Sequence, residues 1–416
     1  MTCAVLTIGT ELTRGEIVDS NSAWLSAELT AIGFEVVEHA VVDDHPERIA
    51  SALKRLSTSA RVVIATGGLG PTTDDITTAA VAQALGVPLV RDATSLEHIR
   101  RRFERLKRPM VDLNFKQADF PVGADILPNA VGTAPGFGVR LAECIAYFLP
   151  GVPHEMKTMF ESHVVPRIRA LASNNRFQKR LHVVGLGESL VGDKLTGIEQ
   201  MFPGTTIGYR VRFPETEVKV LVEESSHAAA QALCERAVCE VRARLVPYVY
   251  GEDDDTFGGT VGRALRTRGW TLAIAESCTG GLVGHMLTRE PGASDFLLLD
   301  AVTYANSAKS RILGVDESTI RWHGAVSSEV SAAMVEGARR VSGADVGLSL
   351  TGIAGPSGGS DSKPVGTVYL AIATPNGPPE VRHRVFSGDR TQIQTLAAYA
   401  GLDAVLDACT RPGSQS

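Results

Sequence analysis

Ser277 lies in Ala275-Glu276-Ser277-Cys278-Thr279-Gly280-Gly281, between the apolar run Trp270 to Ala275 and a run carrying Leu282, Val283, Met286 and Leu287. The first run reads as a strand and the second as a helix with a period near 3.6. A hydroxyl at such a junction can attack a carbonyl, and backbone N–H groups at the helix start can hold an anion or a developing oxyanion. Gly-x-Ser-x-Gly and a Ser-His-Asp pattern are both absent, so the proton acceptor must be another group. Val302 to Lys309 offers one. A strand, Phe296 to Tyr304, runs into a helix whose first turns carry Asn306 and Lys309. A lysine desolvated in an apolar pocket can lose its proton near neutral pH and then accept one from serine. Taken alone, a serine at this place is more often a helix cap than a nucleophile, and a lone lysine more often a surface charge. Cys278 is a rival nucleophile, but adjacent side chains on a strand point to opposite faces, so only one of the two can face a substrate.

A third segment, Leu350 to Gly359 followed by Lys363-Pro364-Val365-Gly366-Thr367, carries Gly352, Gly355, Gly358 and Gly359 between two strands, Asp345 to Leu350 and Val365 to Ala373. That is more glycine than a turn requires, which points to a ligand approaching the backbone. A flexible hairpin loop is the alternative.

Ala-Glu-Ser-Cys-Thr-Gly-Gly at 275 to 281, Val-Thr-Tyr-x-Asn-x-x-Lys at 302 to 309, Thr-Gly-Ile-Ala-Gly-Pro-x-Gly-Gly at 351 to 359, Lys-Pro-Val-Gly-Thr-Val at 363 to 368 and Phe-x-Gly-Asp-Arg at 386 to 390 together resemble the CinA family (competence/damage-inducible protein A). The resemblance runs along essentially the whole chain, and its C-terminal part is similar to the nicotinamide-nucleotide amidase domain. It implies hydrolysis of nicotinamide mononucleotide to nicotinate mononucleotide and ammonia, with Ser277 as nucleophile, Lys309 as base and Tyr304 as an active-site tyrosine, and with no cofactor. Thr279, Gly280, Gly281, Asn306, Thr351, Gly352 and Gly355 are the expected substrate-binding residues. Arg390, at the start of the last helix, is the expected phosphate partner. The chain departs from the family in having Leu299-Asp300 where Gly-Gly is usual, and Gln394 where a second arginine often stands.

The N-terminal half alternates strand and helix: Ala4 to Ile8, Ser20 to Ile32, Glu35 to Val42, Pro46 to Leu56, Arg61 to Thr66, Ile76 to Leu85. This βαβα order predicts a doubly wound parallel sheet, whose ligands lie beyond the carboxyl ends of its strands. Those ends carry Glu11, Asp44, Gly67, Gly68, Gly70, Thr72, Asp74 and Asp75, a set suited to a diphosphate, with Asp74 and Asp75 as candidate ligands of a divalent metal. Helix capping is the competing role for both aspartates. The segment resembles the family's molybdopterin-binding-like domain, which implies metal-dependent cleavage of ADP-ribose to AMP and ribose 5-phosphate; binding of a pterin phosphate is the rival on fold alone. A non-catalytic competence or DNA-damage accessory role is the alternative of another class.

The expected division is residues 1–172, a small α+β middle module of KH type at 173–250, and an α/β amidase domain at 251–416, with Gly251 to Asp255 as an acidic linker. The middle module lacks the Gly-x-x-Gly loop that clamps nucleic-acid backbone, since Gly185, Gly187 and Gly192 are wrongly spaced, so a spacer or dimerisation role is expected. With 41 Lys and Arg against 47 Asp and Glu, a net charge of −6 gives no electrostatic footprint for nucleic acid or an acidic membrane. The arginines of Ile99 to Leu106 read as a solvated face shared with Glu97 and Glu104. The six cysteines show no metal spacing and suit reduced, mostly buried thiols. No apolar run of about 18 residues occurs. The expectation is a soluble cytoplasmic homodimer acting on small nucleotides.

Overall fold

The computed structural model describes residues 1–172, 175–375 and 377–410, in two compact units: residues 1–178 with 202–206 and 221–237, and residues 179–201 and 207–220 with those from 238 onward. The first unit is built on β1 (Thr2–Ile8), β2 (Glu35–Val42), β3 (Val62–Thr66), β4 (Leu89–Arg91), β5 (Asp119–Pro121), β6 (Asp125–Leu127), β7 (Gly136–Leu141) and β8 (Cys144–Leu149). Six of these form one sheet in the order β2-β1-β3-β8-β7-β6, while β4 and β5 pair as a separate ribbon. In β1 and β3 both faces are buried: Ala4, Leu6, Val63 and Ala65 join one apolar cluster, and Cys3, Val5, Val62 and Ile64 join the other. Helices therefore cover both sides, as the unbroken apolar runs require.

The sheet is not wholly parallel. β2, β1, β3 and β8 run together, but β7 lies antiparallel to β8, and β6 antiparallel to β7. The reason is connection length: only Ala142 and Glu143 separate β7 from β8, and a parallel crossover needs about a dozen residues.

Middle strands β9 (Arg176–Val184), β10 (Thr205–Arg212), β11 (Glu215–Glu223) and β12 (Val249–Glu252) form a sheet in the order β10-β11-β9-β12. The expected acidic linker is part of this layer. Gly251 and Glu252 pair with His182 and Leu181, and Asp253, Asp254 and Asp255 pair with Lys179, Arg180 and Arg263 at 2.7, 2.9 and 2.7 Å. The run read as a linker is thus paired with cations of β9 and of the helix that follows it.

The C-terminal part of the second unit holds β13 (Leu272–Glu276), β14 (Leu297–Val302), β15 (Val346–Gly352), β16 (Thr367–Ala373) and β17 (Glu380–Val385), in the order β14-β13-β15-β16-β17. β13 runs parallel to β14 and β15, with β16 and β17 antiparallel beyond. The faces of β13 separate cleanly, Leu272 and Ile274 packing in one cluster and Ala273 and Ala275 in the other. Because β13, β14 and β15 point the same way, Ser277, Thr303 and Gly352 emerge at one edge of the sheet, the position where α/β sheets present their chemistry.

Candidate active site

Ser277 N continues the ladder to Leu350 O at 3.0 Å, and Thr303 N reaches Glu276 O at 2.8 Å, so the first residues past β13 and β14 are still fixed by the sheet. The turn then reverses through Gly280 and Gly281 at φ 67° and 97°, values that favour glycine. The helix Asn306–Leu313 brings Lys309 back over the turn. Lys309 is 1 % exposed and Ser277 9 % exposed. Lys309 Nζ lies 2.9 Å from Ser277 Oγ, 2.6 Å from Thr303 O and 3.3 Å from Tyr304 O. A neutral amine has two N–H donors and one lone pair, which matches two carbonyls and one hydroxyl. Burial pushes the Lys309 pKa below its ordinary value, against a smaller opposing influence from Cys278.

Ser277 and Lys309 border a cavity of about 190 Å³ with Tyr304, Asn306, Thr351, Gly352 and Arg390. Arg390 is the first residue of the helix Arg390–Thr410. Its guanidinium donates to Gly355 O at 2.6 Å and to Tyr304 Oη at 2.9 Å. The Tyr304 hydroxyl, accepting from Arg390, keeps its own proton for a ligand. Thr351 Oγ1 donates to Ala325 O at 2.8 Å, which ties the cavity wall at Ala325 and Val326 to the end of β15.

Several expected residues serve otherwise. Thr279, Gly280, Gly281 and Gly355 do not border the cavity, and Gly355 acts on it through Arg390, whose guanidinium its carbonyl holds. The N–H groups expected to receive an oxyanion are taken: Gly281 N and Gly284 N each donate to the Glu276 carboxylate at 2.9 Å. The glycines after β15 answer to packing. A Cβ at Gly355 would stand 2.6 Å from Val365 Cγ1, and one at Gly359 2.8 Å from Val365 N. The loop folds on itself at these two positions, while Gly352 borders the cavity. Cys278 borders the cavity, but its thiol lies within the apolar cluster and its pKa is pushed up to about 12, chiefly by burial. A thiol held protonated is a poor nucleophile.

Sequence reasoning missed four contributors. Gln394, noted only as a departure, donates Nε2 to Cys278 O at 2.8 Å and so braces the nucleophile turn. Lys363 donates to Val326 O at 2.7 Å and His323 O at 3.0 Å, fixing the far wall. Ala325 and Val326 carry no polar side chain and gave no signal.

In the first unit a cavity of about 420 Å³ is bordered by Glu11, Asp44, Gly67, Gly68, Gly70, Asp74 and Asp75. Thr72 stands outside its lining and acts on the aspartates: its N–H donates to Asp75 at 2.8 Å, and its one hydroxyl proton is shared between Asp75 at 2.6 Å and Asp74 at 2.5 Å. Asp44 receives Thr10 N and Oγ1 at 2.8 and 2.9 Å. Asp74 and Asp75 thus brace their own turn. Among the described residues no three His, Cys, Asp or Glu side chains cluster closely enough to hold a metal ion. The arginine-rich helix, Ala93–Arg105, is accounted for locally, with Arg101 on Glu97 at 2.8 Å and Arg102 on the Ala130 carbonyl at 3.2 Å.

Residues 254–409 match the CinA C-terminal domain, residues 4–170 a probable molybdopterin binding domain, and residues 178–251 the damage-inducible protein CinA KH domain. A CinA-like protein of Geobacter metallireducens is 44% identical over 405 residues, covering 97% of this chain and 98% of that protein. The chain belongs to the CinA family. A putative competence-damage inducible protein of Moorella thermoacetica is 39% identical over 396 residues, 95% of each chain. Among solved structures, CinA from Thermoplasma acidophilum, titled as of unknown function, is 30% identical and covers 40% of this chain and 97% of its own, with a TM-score of 0.38. The competence damage-inducible protein A of Klebsiella pneumoniae is 34% identical over 37% of this chain and 96% of its own, with a TM-score of 0.36. No helix among the described residues is long and apolar enough to cross a membrane.

Proposed function

We propose that the C-terminal part of this CinA family member is a serine–lysine amidohydrolase acting on nicotinamide mononucleotide. The observation that carries the reading is the buried contact of 2.9 Å between Ser277 Oγ and Lys309 Nζ, with two carbonyls occupying the amine's donors. Ser277 Oγ attacks the amide carbon while its proton passes to Lys309. Lys309 then delivers that proton to the departing nitrogen, and ammonia leaves from an acyl-serine. Water, deprotonated by the same amine, releases nicotinate mononucleotide and restores the serine. The amide oxygen is met from the open side of the cavity by Tyr304 Oη–H and the Asn306 amide, since the Gly281 and Gly284 N–H groups are committed to Glu276. Arg390 takes the nucleotide phosphate in exchange for its carbonyl contact. No metal or cofactor enters this scheme.

The N-terminal cavity takes ADP-ribose on this reading, its glycines lying against the diphosphate. The carboxylates of Asp74 and Asp75 are too engaged with Thr72 to enclose an ion alone, but one or two carboxylates together with diphosphate oxygens suit a hard divalent cation. That ion would supply charge stabilisation at the leaving phosphate. The test is to incubate the purified chain with each nucleotide, with and without divalent metal, and to separate the products. Ammonia and nicotinate mononucleotide formed without metal, and AMP formed only with it, support the reading; no product from either substrate contradicts it.

A further inference from the structure

The turn that carries Ser277 is anchored from beneath by two carboxyl groups. Glu276 is fully buried, and its two oxygens accept Gly281 N and Gly284 N, each at 2.9 Å. Asp300, in register with Ile274 on the neighbouring strand β14, stands beside the Glu276 carboxyl, both of them against Gly284. It also presses on the first turn of the helix Leu282–Thr288, where a Cβ on Gly284 would lie 1.9 Å from Asp300 Oδ2. Asp300 Oδ1 is buried without a partner. Two carboxylates cannot hydrogen-bond each other; one must bring a proton. Glu276, whose oxygens already receive two N–H groups, is the acceptor, so the proton belongs on Asp300.

We propose that Asp300 is a positioning residue, the protonated member of a carboxyl pair that holds Glu276, and through it the Ser277–Gly281 turn, in the geometry that sets the nucleophile on Lys309. Its catalytic consequence rests on the amidohydrolase reading; the proton itself does not. Burial first, and the Glu276 charge second, raise the Asp300 pKa to about 7. From β13 the charged group facing Asp300 is Glu276; from the helix Leu282–Thr288 the residue facing it is Gly284, and the adjacent His285 is exposed. Loss of the Asp300 proton sets two negative charges against each other directly under the turn, and the contact between Ser277 and Lys309 opens.

The experiment compares the full-length protein with Asp300→Asn, which keeps an N–H donor and cannot ionise. Because the folded pKa of Asp300 lies above its unfolded value, the stability it contributes is complete below about pH 4 and is lost as pH rises through about 7. The melting temperature of Asp300→Asn relative to wild type should therefore climb between pH 5 and pH 7 and level off above, with other titrating groups cancelling in the difference. Wild type should show a fall in kcat/KM above neutrality, and Asp300→Asn should abolish it with KM unchanged. A melting difference independent of pH would overturn the shared proton, whether or not the protein turns over the nucleotide. A pH-dependent melting difference with an unchanged pH–rate profile would leave the proton in place but overturn the positioning role. Should Asp300→Asn fail to fold, loss in wild type of the protonated-carboxyl infrared band between pH 5 and 8 reads the same ionisation, and a band absent throughout would sink the proposal.

Discussion

At the level of single residues, Lys309 is the most constrained group in the site. Its amine is buried and touches two carbonyls and one hydroxyl, so only the neutral form can accept the serine proton. Lys309→Met should lower kcat by roughly 10³-fold or more, and Lys309→Arg, which cannot release its proton, should not restore it. Burial depresses the lysine pKa, so the rising limb of kcat/KM against pH should lie below the ordinary lysine range; a limb at that range would remove Lys309 as base. Arg390 behaves differently, because it is exposed at the rim and is held by Gly355 O and Tyr304 Oη. Arg390→Ala should raise KM for the nucleotide by about 10- to 100-fold, as a charge-assisted phosphate contact is worth roughly 1.5 to 3 kcal/mol. The same loss on the nucleoside lacking phosphate would take Arg390 out of phosphate binding.

Among elements, the parallel triplet β14-β13-β15 does the positioning; its strands were legible in the sequence, their shared direction was not. Apolar runs read as strands at Trp270 to Ala275, Phe296 to Tyr304 and Asp345 to Leu350; the strands end at Glu276, Val302 and Gly352, and their shared direction puts those ends on one edge. What happens within the turn after β13 was not legible. Glycines in sequence promise free N–H groups at a helix start, but Glu276 bends back onto Gly281 and Gly284 and consumes them, a contact set by the third dimension. Gln394 and Lys363 were hidden for the same reason, since each acts on a main-chain carbonyl more than 30 residues away. The tight packing of the first turn gives its own prediction. Gly284→Ala would drive a methyl against Asp300 Oδ2 and should cost about 1 to 3 kcal/mol of stability, read as a lowered melting temperature. Adding Asp300→Gly should recover part of that loss; an additive double variant would show that the strain lies elsewhere.

On the scale of the whole molecule, the βαβ alternation of the N-terminal half was readable, while the antiparallel turn at Ala142 and Glu143 was not, because helix and strand patterns do not encode strand direction. The two proposed sites belong to separate units, and that separation is testable. Asp74→Asn combined with Asp75→Asn should abolish metal-dependent cleavage of ADP-ribose and spare amide hydrolysis, and chelator should do likewise. Equal loss of both activities in a folded protein would mean that the sites had been wrongly divided. The central claim, however, is that Ser277 and not its neighbour attacks the amide. The most direct measurement is ammonia release from nicotinamide mononucleotide by Ser277→Ala and Cys278→Ala side by side, with folding checked by circular dichroism. The account predicts a loss of at least about 10³-fold for the serine variant and near-wild-type turnover for the cysteine variant, whose thiol is buried and protonated. Turnover retained above about a tenth of wild type in Ser277→Ala, with activity lost in Cys278→Ala, would contradict it.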